Sequence, residues 1–355
     1  MKVGIVGTRG IPNQYGGFEQ FAMLFSEFLV ESGHEVLVYN SSKHPYQETT
    51  WKGVEIKHIY DPEHRIGTVG QFIYDYFSIL NTRKQNFDVI LQLGYTSSSV
   101  WGFLFPKKST LITNMDGLEW KRSKYNKLVQ TFLKKAEKWA VKRSDFLIAD
   151  SIGIQDYLKN KYQVISTFIP YGAEVFASPD NSILEKYKLI EKSYNLAIAR
   201  FEPENNLKEI IEGHLLNNKE TLVIIGNTDT KYGNKLVAKY KNQVNFLGSI
   251  YDMNILNNLR FFSNLYFHGH SVGGTNPSLL EAMACSCNII AHDNPFNKAV
   301  LNEDASYFKS KKDISDILIS KQEKKSRAEN NLTKIESVYS FHSVHNKLLD
   351  LFSEK

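Results

Sequence analysis

The chain has 355 residues, of which 42% are hydrophobic and 23% charged, with a formal net charge of +5. That length exceeds one ordinary core and predicts two domains. The composition excludes a disordered or collagen-like chain, and no apolar run approaches the ~20 residues that span a bilayer. Cys285 and Cys287 are the only cysteines. Their spacing fits neither a local disulfide nor a zinc site, so both are expected as buried, reduced thiols of a cytoplasmic protein. Met1-Lys2-Val3 runs straight into a strand, and no signal peptide is expected.

Short apolar runs predict strands over 2–6, 35–39, 54–59, 88–93, 110–114, 145–149 and 164–168. Helical periodicity separates them. The clearest case is 19–32, where Phe21, Leu24, Phe25, Phe28 and Leu29 recur on one side. This alternation reads as an α/β domain with a parallel sheet and crossovers, over residues 1–172. A turn-rich stretch at 169–182, "IPYGAEVFASPDNS", reads as a linker. Alternation restarts over 183–336, with strands at 195–200, 221–225, 244–247, 265–267 and 287–291. The tail at 337–355 is amphipathic. Two doubly wound domains facing a central cleft are expected, with ligands at the carboxyl ends of the strands.

Four stretches carry candidate chemistry. "GTRGIPNQYGGFEQF", residues 7–21, leaves the first strand through four glycines, among them Gly16 and Gly17. Glycine lets backbone approach a ligand, and the helix that follows offers free N–H groups to an anion. Arg9 is a candidate phosphate contact. The spacing is not G-x-G-x-x-G, which disfavours a dinucleotide site.

"HGHSVGGTNPSLLEAMAC", residues 268–285, follows another strand. Gly273 and Gly274 provide a close-approach turn, Asn276 an N-cap, and Pro277 the first helical residue. The loop is expected to present amides and a positive helix end to a diphosphate, with Thr275 beside them. Glu281 is a lone carboxylate on an otherwise apolar helix and a candidate for sugar hydroxyls. The two histidines of "HGH", including His270, are read as pocket lining.

In "LAIARFEPENNLKEI", residues 196–210, Arg200 ends the first strand of the second domain and is expected to neutralise a departing diphosphate. In "NMDGLEWKRSKY", residues 114–125, Asp116 and Glu119 are candidate carboxylates for an acceptor hydroxyl. Trp120 is placed to stack on a sugar ring, and Lys121 and Arg122 open a basic stretch that runs to Arg143. That stretch suits an anionic lipid surface, a pyrophosphate or nucleic acid. Apolar Leu128, Val129, Phe132 and Leu133 among its lysines fit a helix lying on a membrane surface, or ordinary packing.

Taken together, "YGGFEQFAMLFSEFLVESGHEVLVY", "IPYGAE", the Arg200 strand and "PSLLEAMACSCNIIAHD" resemble the retaining glycosyltransferases of family 4, nearly end to end. "GTRGIPNQYGGFEQ", "NMDGLEWKR", "RFEPENN" and "HGHSVGGTNPSLLEAMA" resemble the subgroup of bacterial rhamnosyltransferases that build surface polysaccharides from dTDP-rhamnose. The resemblance implies a GT-B fold, a nucleotide-sugar donor, a polyprenyl-diphosphate-linked or oligosaccharide acceptor, no metal or other cofactor, and no nucleic-acid partner. It also implies a tail helix that crosses back to the N-terminal domain, and the basic stretch fits a cytoplasmic enzyme working on the inner face of the plasma membrane.

Residue by residue, the resemblance sets Gly16 and Gly17 against the donor phosphates. Arg200, Gly274, Thr275 and Asn276 grip the diphosphate, and Glu281 meets the ribose. Two departures stand out. Gly273 occupies the place of the first acid of the family's E-x7-E motif, with His270 or Asn276 as replacements. Asn205 stands where the family has a lysine after Arg200 and is expected as a donor contact in its place. A nucleotide-sugar 2-epimerase of the same shape, or a non-catalytic nucleotide-sugar binder, are the alternatives.

Overall fold

The computed structural model describes residues 1–121, 125–217, 220–272, 274–320 and 325–353. The chain divides into two units. One comprises Met1–Pro170 with His345–Lys355, the other Tyr171–Val344.

The first unit is built on eight strands: β1 (Lys2–Val6), β2 (Glu35–Ser41), β3 (Thr50–Trp51), β4 (Val54–Ile59), β5 (Val89–Leu93), β6 (Thr110–Asn114), β7 (Phe146–Ala149) and β8 (Thr167–Phe168). They lie in the order β3-β4-β2-β1-β5-β6-β7-β8. All pairs are parallel except β3 with β4. Runs such as KVGIV and VILQL are apolar on both faces, as a sheet covered on both sides requires.

The helices that accompany this sheet include α1 (Gly17–Glu31), α2 (Glu63–Ile66), α3 (Val69–Thr82), α4 (Lys127–Arg143) and α5 (Ile152–Tyr162). On α1, Phe21, Phe25 and Leu29 are buried, whereas Leu24 and Phe28 are half-buried. The Phe25 ring meets His345 at 5.3 Å and Phe352 at 5.8 Å. On α4 the buried face is Leu133, Ala136, Glu137 and Ala140. Leu133 is packed, whereas Leu128 is 82% exposed. A spacing of five residues turns the two side chains apart on a helix.

The second unit holds six parallel strands: β9 (Tyr194–Ile198), β10 (Thr221–Ile225), β11 (Asn245–Gly248), β12 (Leu265–His268), β13 (Ile289–His292) and β14 (Ser306–Phe308). Their order is β11-β10-β9-β12-β13-β14. The helices here are α6 (Ser182–Lys186), α7 (Leu207–Asn217), α8 (Lys231–Tyr240), α9 (Met253–Phe261), α10 (Pro277–Ala284), α11 (Pro295–Leu301), α12 (Lys311–Ser320) and α13 (Lys325–Lys334). The last helix of the chain is α14 (Phe341–Ser353). The core gathers Ala197, Leu207, Ile210, Leu222, Ile224 and Phe267.

Each sheet has its strand order reversed about its first strand: β1 lies between β2 and β5, and β9 between β10 and β12. Such switch points leave a crevice at the carboxyl ends of the strands. Two strands escape the sequence pattern, β3 and β14. β9 ends at Ile198 rather than at Arg200: Ala199 N–H still bonds Ile225 O at 3.0 Å, but the chain then turns, with Glu202 N–H on Arg200 O at 2.8 Å. Cys285 and Cys287 are both buried and free, as expected. Among the described residues no helix is long and apolar enough to cross a membrane.

Candidate functional site

In the second unit the switch point is bounded by the turn after β9 and the loop after β12. The β9 turn is pinned through one carbonyl: Arg200 O accepts from Asn205 Nδ2 and from Glu202 N, each at 2.8 Å. Asn205, expected to face the donor, is buried and spends its amide nitrogen on this pin. The Arg200 side chain stays 65% exposed, with Glu202 as its nearest carboxylate at 4.0 Å. Its guanidinium is therefore open to a ligand.

The two loops interlock. Ser271 N and Oγ donate to Glu204 O at 3.0 and 2.8 Å. Asn206 Nδ2 donates to Gly269 O at 2.8 Å. A Cβ at Gly269 would lie 2.1 Å from Asn205 O, so only glycine permits this approach. His270 O accepts from Asn294 Nδ2 and Asn297 Nδ2, both at 3.0 Å. Its ring stacks on His268 with centroids 4.5 Å apart.

The loop then enters α10 as its sequence predicts. Asn276 caps, its Oδ1 accepting from Ser278 N at 2.9 Å, and Pro277 opens the helix. Thr275 is buried, while Gly274 and Asn276 are half-buried. Gly273 lies outside the described residues. The first-turn amides of α10 carry the positive end of the helix dipole.

Glu281, one turn in, is bound by a residue that sequence reasoning missed. Arg260 on α9 is 1% exposed and its Nη2 donates to Glu281 Oε2. The same guanidinium reaches Ser278 Oγ at 3.2 Å and Asn257 Oδ1 at 3.0 Å. Burial is the largest influence and works against its charge, but Glu281, joined by Tyr266, Cys285 and Cys287, raises the Arg260 pKa on balance and keeps it protonated. The signal was present: a lone carboxylate on an apolar helix demands a cation. The spacing that would name Arg260 was not.

In the first unit, the loop after β1 is held by Asn40, which accepts from Ile11 N at 3.0 Å and donates to Ile11 O at 2.7 Å. A Cβ at Gly10, where φ is 127°, would meet the Asn40 side chain at 2.3 Å. Gly16 is the N-cap of α1 and Gly17 its first residue. Gly16 offers no capping side chain, so the first amides of α1 stay available.

Arg9 departs from expectation. Its Nη2 lies 2.7 and 2.8 Å from the Glu63 carboxylate oxygens and its guanidinium stacks on the Tyr15 ring at 3.9 Å. In this arrangement Arg9 braces the loop, and a phosphate would have to compete with Glu63 for it.

After β6, Asp116 adopts φ 51°, and its N–H is held by Asn114 Oδ1 at 3.0 Å. This left-handed conformation costs an ordinary L-residue about 1–2 kcal/mol, less for aspartate. Asn114 pairs with Ile148 across β6 and β7, so Asp116 and Asp150 follow their strands at matching positions. Asp150 is buried, and burial, then the Asp116 charge, push its carboxyl well above the usual range. Glu119 is half-buried.

Trp120 is half-buried and donates Nε1 to Glu137 Oε2 at 3.3 Å. Glu137, itself buried, also accepts from Tyr157, Lys161 and Tyr162. Lys121 is exposed, 5.5 Å from the Trp120 ring centroid, and Lys134 lies 4.4 Å from it. Arg122 lies outside the described residues. Among the described residues no group of three or more His, Cys, Asp or Glu side chains is arranged to hold a metal ion.

Among curated protein sequences none matches the chain. Residues 1–174 match a family model described as a domain of unknown function, DUF1972. Over their whole lengths, solved structures resemble the chain at low identity. Sucrose-phosphate synthase from Thermosynechococcus elongatus is 14% identical with a TM-score of 0.81, covering 99% of this chain and 98% of that one. Anabaena HepE in complex with UDP-glucose is 13% identical with a TM-score of 0.78, covering 100% and 99%. WaaG, a glycosyltransferase involved in lipopolysaccharide biosynthesis, is 14% identical with a TM-score of 0.77, covering 100% of both chains. The fold is thus GT-B, and residues 182–333, which carry the β9 turn, the β12 loop and α10, match the family model described as glycosyl transferases group 1, which supports glycosyl transfer as the chemistry of the chain.

Proposed function

We propose that the chain is a retaining glycosyltransferase that moves L-rhamnose from dTDP-rhamnose to a polyprenyl-diphosphate-linked or oligosaccharide acceptor in bacterial surface polysaccharide assembly. One observation carries the reading. In the segment matching glycosyl transferases group 1, an Asn276-capped helix end, a fixed Glu281 and an open Arg200 lie around one switch point. Amides, carboxylate and guanidinium suit a diphosphate and the hydroxyls beside it. HepE, of the same fold, has been solved with UDP-glucose. The subgroup resemblance of the sequence supports the dTDP-rhamnose assignment.

In this reading the bond between the anomeric carbon and the diphosphate oxygen breaks as the acceptor oxygen bonds to the same face of that carbon. The diphosphate leaves with the electron pair and takes up the acceptor proton. Arg200 and the α10 amides meet the charge that grows on the leaving group, a preorganised stabilisation largest at the transition state. Asp116 and Glu119 orient the acceptor hydroxyl, and Trp120 and Lys121 hold the acceptor at the cytoplasmic face of the membrane.

The test is a panel of labelled dTDP-, UDP- and GDP-sugars with purified protein. The expected outcome is selective stabilisation by dTDP-rhamnose and slow hydrolysis or transfer of its sugar with the anomeric configuration kept. An isomerised donor would instead identify an epimerase, and binding without turnover a non-catalytic protein.

A further inference from the structure

The second unit contains a buried polar side chain that its own packing leaves unserved. His268 closes β12, is 1% exposed, and neither Nδ1 nor Nε2 has a hydrogen-bond partner among the described residues. A neutral imidazole carries one N–H donor and one lone pair. Leaving both unmade in the interior is unfavourable, and such groups usually have a ligand or an ordered water to complete them. Burial first, then His270, His292 and Arg260, push the His268 pKa well below its ordinary value, so the ring stays neutral.

Its position is fixed by its neighbours. Alternate residues of a strand share a face. Tyr266, two residues earlier, meets Ser278 Oγ at 2.7 Å through its hydroxyl, so this face of β12 looks onto α10. His268 lies further toward the carboxyl end, beside the loop that leads into the helix. The His270 ring covers one side of it, with an interplanar angle of 17°. β12 adjoins β9 at the switch point.

We propose that His268 is a specificity-determining residue that hydrogen-bonds a hydroxyl of the donor sugar. The inference rests on the nucleotide-sugar reading given above. A hydroxyl both donates and accepts, matching the two unmet atoms of a neutral imidazole. Diphosphate oxygens only accept and are better served by a cation, a role His268 does not fill.

The experiment measures thermal stability and affinity of the full chain as wild type, His268→Leu and His268→Gln, with dTDP and with dTDP-rhamnose as probes. Without nucleotide, His268→Leu is expected to melt at or above the wild-type temperature, since an apolar side chain of similar volume replaces an unserved polar one. dTDP is expected to stabilise all three alike. The affinity of His268→Leu for dTDP-rhamnose is expected to fall about tenfold or more, while His268→Gln, which can still donate and accept, keeps most of it. A His268→Leu chain that melts several degrees lower, with unchanged preference for dTDP-rhamnose over dTDP, would make the imidazole structural and overturn the proposal. Equal stabilisation of wild type and His268→Leu by dTDP-rhamnose would make the partner a buried water, with the same consequence. Failure of the wild type to respond to either probe would overturn the dTDP-rhamnose reading and this inference with it, and is distinguishable because the other failures leave nucleotide binding intact.

Discussion

Arg260, buried on α9, grips Glu281 on α10 and reaches Ser278 on the same helix. The contact fixes the carboxylate that the donor reading uses, and it makes the two residues interdependent. Removing one member of a buried ion pair leaves the other uncompensated, which typically costs about 3–5 kcal/mol.

Glu281→Ala is therefore expected to destabilise the chain by about that amount, because Arg260 remains buried and charged. Glu281→Gln, which keeps an acceptor for Arg260 Nη2, is expected to lose clearly less. Both should weaken nucleotide-sugar binding. Thermal denaturation with and without dTDP-rhamnose checks this. Equal stability of Glu281→Ala and wild type would mean that the Arg260 contact contributes nothing.

The sequence exposes most of this architecture and hides specific parts for physical reasons. Fully buried parallel strands announce themselves as apolar runs, and the α10 entry is legible because Asn276 and Pro277 are local devices. β3 and β14, at two and three residues, are too short to show a period. Arg260 is invisible because a charged residue in "NNLRFF" reads as solvent-facing; only its three-dimensional partners reverse that. Arg9 misleads in the opposite sense, since its carboxylate partner Glu63 is remote in sequence. His268 was read only as pocket lining, and its unmet nitrogens appear only once the packing is known.

Arg200 is expected to matter for turnover and little for folding. Its side chain is mostly exposed and, among the described residues, its one close carboxylate is Glu202 at 4.0 Å, a pair of negligible strength. Arg200→Ala should leave the melting temperature within about a degree, as surface substitutions usually do, while kcat for sugar transfer falls about 10²–10³-fold. Steady-state kinetics beside a melting curve checks the split. Undiminished turnover would remove Arg200 from the mechanism.

Asp75 makes stability depend on pH. It is buried on α3, accepts from Ser97 Oγ at 2.5 Å, and burial pushes its pKa up to about 7, opposed by Ser97 and Arg9. The folded state therefore binds a proton more tightly than the unfolded state does. Between about pH 4 and 7 the folded chain holds the extra proton, so this residue's contribution falls as pH rises through that window. Above it, the penalty for the buried charge reaches a few kcal/mol, at about 1.4 kcal/mol per pKa unit. Asp75→Asn mimics the protonated acid and is expected to melt higher than wild type at pH 8 and equally at pH 4. Melting curves across that range check it. The neutral histidines oppose this trend: His214, lowered to about 4 by burial, lets the unfolded state gain protons below about pH 6.5 and so loses stability on acidification. The Asp75 effect is therefore read as the difference between variant and wild type at each pH.

The exposed side of α4 is expected to bind anionic membranes. Lys134, Lys138 and Lys142 follow one another at helical spacing, are exposed, and pair with no carboxylate among the described residues. Like charges at that spacing disfavour a helix by about 0.2–0.5 kcal/mol per pair, a repulsion that an anionic surface would relieve. Leu128, on the first turn of the same helix and 82% exposed, adds an apolar group that can enter the interface. Vesicles containing anionic lipid should retain the chain at low salt and release it at high salt, because exposed charges are screened within a Debye length of about 10 Å at 0.1 M. Lys134→Gln with Lys138→Gln should weaken retention by about 1 kcal/mol per charge without lowering the melting temperature. Leu128→Ser should weaken it further in a manner insensitive to salt, since burying a leucine contributes about 1.5–3 kcal/mol. Equal retention on neutral vesicles would rule out the electrostatic part of this account, and salt-insensitive binding of the wild type would do the same.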